Sequence, residues 1–353
     1  MYLRENLTLA RRTVGTQGLG GLARLGAAWA VKELQPDFVP LMPSFLHVEV
    51  TNRCNLKCFT CVRAAGNGGD DLTFDQFKSL LDQAPKVTKV NLYGIGEPLL
   101  NHDFLPMLRE CRRRSIYTGF FTNMTLLRDR VVAEIVDAKP DYINMSMDGS
   151  TKAMFEKYRT GAIFEKCLEG GKRLIAEVER RKAPIELTIW FSGTSENIHE
   201  LPGLVHLAKE LRVPKIMVQD LFDWNVQQVT KALNGTSELE GNKEIFDVAL
   251  RQTAQACRET GVEVYRWAST GTGKRTCDIP WFYSFITAKG KVTPCNWNGF
   301  DGAITFGNVF EEPLHQIWNS RDFQRFRHDL KGTERPPLCR GCVYYDRELV
   351  RIG

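Results

Sequence analysis

The sequence has no apolar run long enough to cross a bilayer. Its longest strongly apolar stretch near the N-terminus, Leu25 to Val31, is bounded by Arg24 and Lys32, whereas a spanning helix needs about 20 apolar residues. The sequence also has no internal repeat and no low-complexity segment. A transmembrane helix and a repeat architecture are therefore both excluded from the prediction.

Charge of one sign is not in large excess, and a secretory signal is missing. The formal net charge is +5, the pI is near 8.6, and the basic residues are spread along the chain, so nothing in the composition predicts nucleic-acid binding. The ten cysteines are bunched at ligand spacing, which argues against a disulfide framework. We expect a protein of the reducing cytoplasm.

The size of the chain sets its architecture within narrow limits. With 353 residues, of which 43% are hydrophobic, the sequence has room for one large α/β domain and a smaller appendage. A packed core is expected.

Three cysteines follow the first apolar run at close spacing. Cys54, Cys58 and Cys61 form a Cys-x3-Cys-x2-Cys pattern. This spacing can place three thiolates around an iron–sulfur cluster and leave one iron without a protein ligand. An iron with an open position can bind a substrate or cofactor, so we interpret the motif as catalytic.

The pattern resembles the signature of radical S-adenosylmethionine (SAM) enzymes. In that family the open iron of a 4Fe-4S cluster binds the amino and carboxylate groups of SAM. One electron then splits SAM into methionine and a 5′-deoxyadenosyl radical, which abstracts a hydrogen atom from an unactivated carbon. The resemblance implies the same cofactors here, and a flavodoxin- or ferredoxin-type electron donor.

From residue 46 the sequence alternates short β-branched or aromatic runs with longer helical patterns, as repeated βα units do. The predicted strands are Leu46–Val50, Lys89–Tyr93, Tyr117–Thr122, Tyr142–Met147, Glu186–Phe191 and Lys215–Gln219. The predicted helices are Phe74–Gln83, Leu105–Arg114, Asp129–Ala138, Phe164–Arg181, Leu201–Leu211 and Lys243–Thr260. Six units are too few for a closed eight-unit barrel, so residues 46–265 are predicted to form a partial (β/α)6 barrel, which is also the fold that the resemblance implies.

The ends of the predicted strands carry further residues that resemble the SAM-binding positions of the family. Gly96 and Glu97 match a Gly-Gly-Glu motif that receives the SAM amino group, although Ile95 replaces one glycine. A tight structural turn is the alternative. Polar groups at later strand ends approach the ribose and carboxylate in the family, and the matching residues here are Asn123, Ser146 and Asp148.

Two of these assignments have ordinary structural alternatives. Ser146 and Asp148 could be turn or helix-capping residues. Arg159 resembles the arginine that pairs with the SAM carboxylate, a task that suits a guanidinium group. It could instead be a surface arginine.

A second cysteine set marks residues 266–353 as a smaller module. In this region Gly, Asn, Pro and aromatic residues become more frequent and long helical patterns disappear. Its cysteines are Cys277, Cys295, Cys339 and Cys342, and four thiolates can ligate one cluster completely. With Gly307-Asn308 and Trp318-Asn319, they resemble the SPASM/twitch extension of radical SAM enzymes, which implies one auxiliary 4Fe-4S cluster. A structural zinc site is the competing interpretation.

The candidate catalytic residues depend on the reaction. In related enzymes with one such cluster, a hydroxyl-bearing carbon loses hydrogen to the deoxyadenosyl radical and the cluster accepts the remaining electron. The resemblance implies the same reaction here, and that reaction needs a base. Asn296 stands where related sulfatase-maturing enzymes have an aspartate, which counts against that substrate class. Asp301, His102 and Asp220 are alternative bases.

We expect a small polyol, aminocyclitol or sugar-type substrate that is dehydrogenated by a radical SAM oxidoreductase. The second hypothesis is a radical epimerase with a cysteine hydrogen donor, for which Cys257 is the candidate. The default for Cys111, Cys167 and Cys257 alike is a buried apolar helix residue. The third is crosslinking of a ribosomal peptide. The non-enzyme alternative is a cluster-bearing scaffold protein.

Residues 1–45 stand outside the resemblance and form a predicted N-terminal helical extension. Residues 1–35 mix apolar and basic side chains around a break between Gly15 and Gly21. This pattern predicts a helix packed on the main domain. The alternative is a membrane-surface or partner-binding helix.

Overall fold

The computed structural model describes residues 2–61, 69–220, 242–269, 277–296, 304–332, 335–339, 342 and 347–353. The strands within these ranges are β1 (Phe45–Val48), β2 (Lys89–Leu92), β3 (Tyr117–Thr122), β4 (Tyr142–Ser146), β5 (Glu186–Gly193), β6 (Lys215–Asp220), β7 (Glu263–Ser269), β8 (Tyr283–Ile286), β9 (Val292–Thr293) and β10 (Arg347–Ile352). The helices are α1 (Tyr2–Leu34), α2 (Phe74–Gln83), α3 (Phe104–Arg113), α4 (Asp129–Ala138), α5 (Lys152–Tyr158), α6 (Phe164–Arg180), α7 (Leu201–Glu210), α8 (Lys243–Thr260), α9 (Leu314–Trp318) and α10 (Arg321–Lys331).

The chain divides into two compact units. The first unit contains residues 1–53, 69–119 and 276–340, and the second contains residues 54–68, 120–275 and 341–353. The division falls within β3, between Gly119 and Phe120.

The first unit is built on the strand order β9-β8-β1-β2-β3. β1 pairs in parallel with β2 on one side and with β8 on the other, and β9 is antiparallel to β8. Three of the four residues of β1 are buried, as expected for a parallel strand with both faces covered. β1 is therefore the central strand of this unit.

The second unit follows the order β4-β5-β6-β7-β10. The strands β4 to β7 are parallel, and β10 runs antiparallel to β7 at the edge. Because all parallel strands end on the same side, their carboxyl ends form one edge of this unit.

Local sequence explains where several helices begin and end. At the start of α2, Thr73 Oγ1 accepts a hydrogen bond from the Gln76 amide at 3.2 Å, and Gln76 Oε1 accepts one from the Thr73 amide at 3.0 Å, which is a capping box. At the end of α8, Gly261 has a φ of 76°, a left-handed conformation that glycine adopts without steric cost.

The structure confirms the six predicted βα units and corrects several details. The bounds of α2, α4, α8 and β3 match the prediction, and the other predicted elements differ by one or two residues at one end or both. The sequence analysis did not predict α5, β7, β8, β9 or β10, and α10 shows that the C-terminal region does contain a regular helix. In α1 the backbone leaves helical geometry at Gly18, where φ is 59°, within the predicted break.

No helix in these ranges has the length and apolar character to cross a membrane.

A buried arginine holds α10 in the first unit. Arg327 is fully buried, stacks on Trp318 and Phe323, and donates hydrogen bonds to the carbonyl oxygens of Pro280 (2.8 Å) and Asp37 (3.1 Å). Its Nη2 also donates to the Trp318 carbonyl at 2.8 Å. The guanidinium thus satisfies carbonyl groups from three separate segments, which would otherwise be buried without donors.

We expect Arg327→Met to lower the free energy of unfolding by about 3 kcal/mol, because it leaves several buried carbonyls without donors. Urea unfolding of the anaerobically prepared protein measures this change. Arg325→Met is the matched control in the same helix; the Arg325 side chain is 83% exposed, so the change should stay within about 0.5 kcal/mol. Equal losses in the two variants would contradict the assignment.

Candidate active site

The cysteine loop after β1 is held by backbone hydrogen bonds within the second unit. The Lys57 amide donates to the Thr160 carbonyl and the Phe59 amide donates to the Tyr158 carbonyl, each at 3.0 Å. These acceptors flank Arg159 at the end of α5. The path of the loop is therefore fixed by the protein itself.

The thiol of Cys58 lies close to a cation. Arg159 Nη1 is 4.0 Å from Cys58 Sγ. Burial raises the pKa of the Cys58 thiol to about 11, against the opposing effect of the Arg159 charge. Metal coordination deprotonates a ligating thiol, so a nearby guanidinium would stabilise the charge that the thiolate then carries.

Arg159 is itself positioned by Asp148. Arg159 Nε lies 2.6 Å from Asp148 Oδ2, and Asp148 Oδ1 accepts a hydrogen bond from the Ser192 amide at 2.8 Å. Burial acts to lower the pKa of Arg159, but the charge of Asp148, its hydrogen bond and the nearby Cys58 and Cys61 thiols together hold the pKa above its ordinary value. The contacts of both Asp148 oxygens therefore orient the arginine and tie β4 to β5.

Asn123, directly after β3, orders the first part of the cysteine loop. Its Nδ2 donates to Asn55 Oδ1 at 3.0 Å and lies 3.8 Å from Cys54 Sγ. Its Oδ1 accepts from the Thr125 hydroxyl at 2.6 Å, and the same hydroxyl accepts from Asn55 Nδ2 at 2.8 Å. Sequence reasoning missed Asn55 and Thr125, although Asn55 lies inside the cysteine motif.

Ser146 is the last residue of β4 and is 8% exposed. It lies in register with Trp190 of β5. The second unit thus carries Asn123, Ser146 and Asp148 at or just beyond the carboxyl ends of its strands, as the sequence predicted.

In the first unit, the loop after β2 packs on the backbone that leads to the cysteines. A Cβ atom at Gly96 would lie 2.4 Å from the Thr51 carbonyl oxygen and 2.5 Å from that of Arg53, so only glycine fits. The Glu97 amide donates to the Arg53 carbonyl at 2.8 Å, and Arg53 directly precedes Cys54 in the chain. Glu97 is 2% exposed.

Arg53 was missed by the sequence analysis, although it fixes this approach. Its Nε donates to Asp71 Oδ1 at 2.9 Å, its Nη2 contacts Asp71 Oδ2, and Nη2 also donates to the Leu100 carbonyl at 2.8 Å. The pairing with Asp71 joins residues 18 positions apart, which no local pattern reveals.

The four cysteines of the second set are placed by their own local contacts. Cys277, Cys295 and Cys339 belong to the first unit and Cys342 to the second. The Cys295 carbonyl accepts a hydrogen bond from Thr293 Oγ1 at 3.0 Å, and Cys339 ends a short 3-10 turn and is 9% exposed.

The donor set suits iron–sulfur clusters. All ten cysteines lie in the described ranges, and they form no disulfide bonds. In the part of the chain that the structure describes, no three Cys, His, Asp or Glu residues lie close enough to bind a single metal ion. Cysteine thiolates are the ligands that hold iron–sulfur clusters in proteins.

The candidate catalytic residues lie in separate places. Cys257 is buried in the last turn of α8, shortly before β7 begins, and a Cβ atom at Gly353 would lie 3.0 Å from the Cys257 Cβ atom. Asn296 Oδ1 lies 3.3 Å from the Tyr283 hydroxyl in the first unit. Asp301 lies outside the described residues.

The other candidates are also separated. His102 is exposed, whereas Asp220 is buried with its Oδ2 3.9 Å from Arg266 Nη1. Cys111 and Cys167 are buried on α3 and α6, as the default interpretation predicted.

Comparison with known proteins supplies the family. Residues 48–208 match the Radical SAM superfamily, and residues 277–343 match SPASM, an iron–sulfur cluster-binding domain.

Two curated relatives and one solved structure illustrate the likeness. The chain is 27% identical over 332 residues to the tungsten-containing aldehyde ferredoxin oxidoreductase cofactor-modifying protein of Pyrococcus furiosus, covering 86% of this chain and 88% of that one. It is 26% identical over 320 residues to the PqqA peptide cyclase of Gluconobacter oxydans, covering 88% and 85%. The fold is similar to that of Streptococcus suis SuiB bound to the precursor peptide SuiA, with a TM-score of 0.69, 15% identity, and coverage of 91% and 80%.

These matches confirm three expectations from the sequence: the partial (β/α)6 barrel, the C-terminal iron–sulfur module, and the cofactors SAM and 4Fe-4S clusters. The chain belongs to the radical SAM superfamily and is a radical SAM enzyme with a SPASM domain.

Proposed function

We propose that Cys54, Cys58 and Cys61 hold the SAM-binding cluster and that polar residues following the parallel strands contact SAM. Gly96 and Glu97 would receive its amino group, and Asn123, Ser146 and Arg159 would approach its ribose and carboxylate. Together, the cluster and SAM supply a 5′-deoxyadenosyl radical. The observation that carries this proposal is the placement of Arg159, with Asp148 on one side at 2.6 Å and Cys58 on the other at 4.0 Å.

The side chains divide the work in a definite way. Asn123 holds Asn55 and thereby the start of the cysteine loop. Asp148 fixes Arg159 instead of contacting the cofactor itself. Arg159 balances thiolate charge and presents the rest of its guanidinium group for an anionic partner.

We further propose that Cys277, Cys295, Cys339 and Cys342 hold one auxiliary 4Fe-4S cluster. Four thiolates leave no iron open, so its role would be to transfer electrons. A flavodoxin- or ferredoxin-type protein is the proposed electron donor.

For the substrate we propose a peptide whose side chains are oxidatively joined. The main expectation from the sequence, a small polyol or aminocyclitol, has less support. The Gluconobacter oxydans relative, which is 26% identical over 88% of this chain, is a peptide cyclase. The third hypothesis of the sequence analysis is thus better supported than the first. The Pyrococcus furiosus relative, a cofactor-modifying protein by name, supports modification of another enzyme's cofactor as the second candidate.

The half-buried residues of β5 and β6 also suit a peptide. Trp190 Nε1 donates to Gln219 Oε1 at 3.0 Å, and the Trp190 ring packs edge-on against Phe121 with ring centroids 4.8 Å apart. Trp190 and Gln219 alternate along β5 and β6 with the fully buried Ile189, Phe191 and Val218. Trp190 and Gln219 therefore lie on the face of the sheet opposite to those three residues. An aromatic surface with an amide group can pack on side chains and bond to peptide groups.

The iron content of the anaerobically reconstituted protein tests the cofactor assignment. We expect about eight irons per chain, falling to about four in a Cys54/Cys58/Cys61→Ala variant. The control Cys111→Ala, at a buried helix position, should retain all of the iron. About four irons falling to none, with bound zinc, would make Cys277 to Cys342 a zinc site and remove the electron acceptor.

Arg159→Lys tests the planar guanidinium group beside Cys58. Lysine keeps the charge but loses the planar group that faces Asp148, so the Kd for SAM should rise about tenfold with the iron content unchanged. Equilibrium dialysis with labelled SAM measures the Kd. The control is Arg173→Lys on α6, a 43% exposed side chain of the same unit; an unchanged Kd in Arg159→Lys would contradict the proposed contact.

The substrate proposal is tested by deoxyadenosine release in the presence of a synthetic peptide library or a panel of polyols and aminocyclitols. We expect a peptide to stimulate release and to lose two hydrogen atoms, as mass spectrometry would show. Stimulation by polyols alone, with a ketone as product, would restore the dehydrogenase hypothesis.

A further inference from the structure

Two buried polar residues, one on β1 and one directly after it, have no part in the cofactor assignments above. His47 is 2% exposed and Glu49, just beyond the end of the strand, is 4% exposed. Because they are two residues apart, their side chains lie on the same face. β1 lies between β2 and β8, so this face adjoins segments from both sides.

His47 joins the loop after β2 to β8. Its Nε2 lies 2.9 Å from the Tyr93 carbonyl oxygen, and its Nδ1 lies 2.9 Å from the Tyr283 hydroxyl. Burial lowers the pKa of His47 to about 3, so the ring is neutral and has one donor. A carbonyl can only accept; therefore Nε2 donates to Tyr93, and Nδ1 accepts from the Tyr283 hydroxyl.

Glu49 makes a second connection between the same two regions. Its Oε1 accepts from the Ile95 amide at 3.3 Å, and its Oε2 accepts from the Ala288 amide at 3.1 Å. The loop also packs closely against this side chain, since a Cβ atom at Gly94 would lie 2.4 Å from Glu49 Cγ. Glu49 thus fixes the middle of the loop both by hydrogen bonds and by packing.

His47 and Glu49 join the loop after β2 to the region of β8, and each of these two regions lies next to a proposed cofactor ligand. On one side, Tyr93 and Ile95 belong to the loop that contains Gly96 and Glu97. On the other side, the Tyr283 hydroxyl lies 3.3 Å from Asn296 Oδ1, and Asn296 directly follows Cys295. Because the hydroxyl donates its one proton to His47 Nδ1, this approach to Asn296 is a packing contact and not a second hydrogen bond from Tyr283. All of these residues belong to the first unit.

We propose that His47 and Glu49 are positioning residues that hold the Tyr93–Glu97 loop in its SAM-binding conformation by anchoring it to the C-terminal module. The inference rests on the proposed role of Gly96 and Glu97. SAM affinity then depends on contacts with Tyr283 and Ala288, which themselves are not proposed to touch SAM.

The test compares the Kd for SAM, the iron content and the melting temperature of Glu49→Gln, Tyr283→Phe and wild-type holoenzyme. Glu49→Gln replaces a charged acceptor and Tyr283→Phe removes only the hydroxyl. We expect the Kd to rise about tenfold in the first and about threefold in the second, with the iron content retained. If Glu49→Gln does not fold, Tyr283→Phe and His47→Gln carry the test.

Glu110→Gln is the matched control. Glu110 is a buried carboxylate of the same unit that pairs with Arg113 and Arg114 on α3. This variant should lose stability but keep the wild-type Kd, so it separates a general loss of stability from a loss of loop position. A Kd that rises equally in Glu110→Gln would overturn the inference.

A Glu97→Gln variant separates this inference from the function on which it rests. An unchanged Kd in Glu97→Gln would refute the role of the loop in SAM binding, and the inference with it. A raised Kd in Glu97→Gln with an unchanged Kd in both Glu49→Gln and Tyr283→Phe would refute the positioning role alone. If Glu49 acts through the loop, its effect should shrink in the Glu97→Gln background, because coupled residues are not additive.

Discussion

The buried ion pair between Arg159 and Asp148 is the interaction on which the cysteine loop of the second unit depends. The other carboxylate oxygen of Asp148 accepts a hydrogen bond from the Ser192 amide. The ion pair therefore links β4 and β5 to Arg159 at the end of α5. The carbonyls on either side of Arg159 accept hydrogen bonds from Lys57 and Phe59. A single position thus sets both the path of the loop and the charge near Cys58. A buried arginine without its carboxylate would be costly, which explains why Asp148 is held so firmly.

In the first unit, the loop after β2 is positioned mainly by backbone contacts. Gly96 lies so close to the Thr51 and Arg53 carbonyls that no side chain fits, and the Glu97 amide is bonded to Arg53. Since backbone atoms have few alternative positions, such contacts locate a loop more exactly than flexible side chains do. Glu49 and His47 extend this arrangement to β8.

The chemistry of the protein follows from its donor atoms. Thiolates are soft ligands that suit iron–sulfur clusters, and the two cysteine sets fall within the two matched regions of the chain. Three cysteines leave an open iron and four do not, and on this ground we propose SAM cleavage at the first set and electron transfer at the second. The substrate is decided by other surfaces, because one fold can serve many reactions.

The sequence by itself determined the cysteine spacing, the six βα units and the helices with clear periodicity, such as Asp129–Ala138, because these signals are local. It did not reveal the short helix α5 or the strands β8 and β10, which are stabilised by pairing with distant segments. Only the tertiary structure decided that Asp148 faces Arg159, that Arg53 pairs with Asp71, and that His47 and Glu49 connect two segments. In the sequence, His47 and Glu49 are single polar residues within an apolar strand. Their partners lie 46 and more than 230 positions away, and contacts at such separation arise from the fold alone.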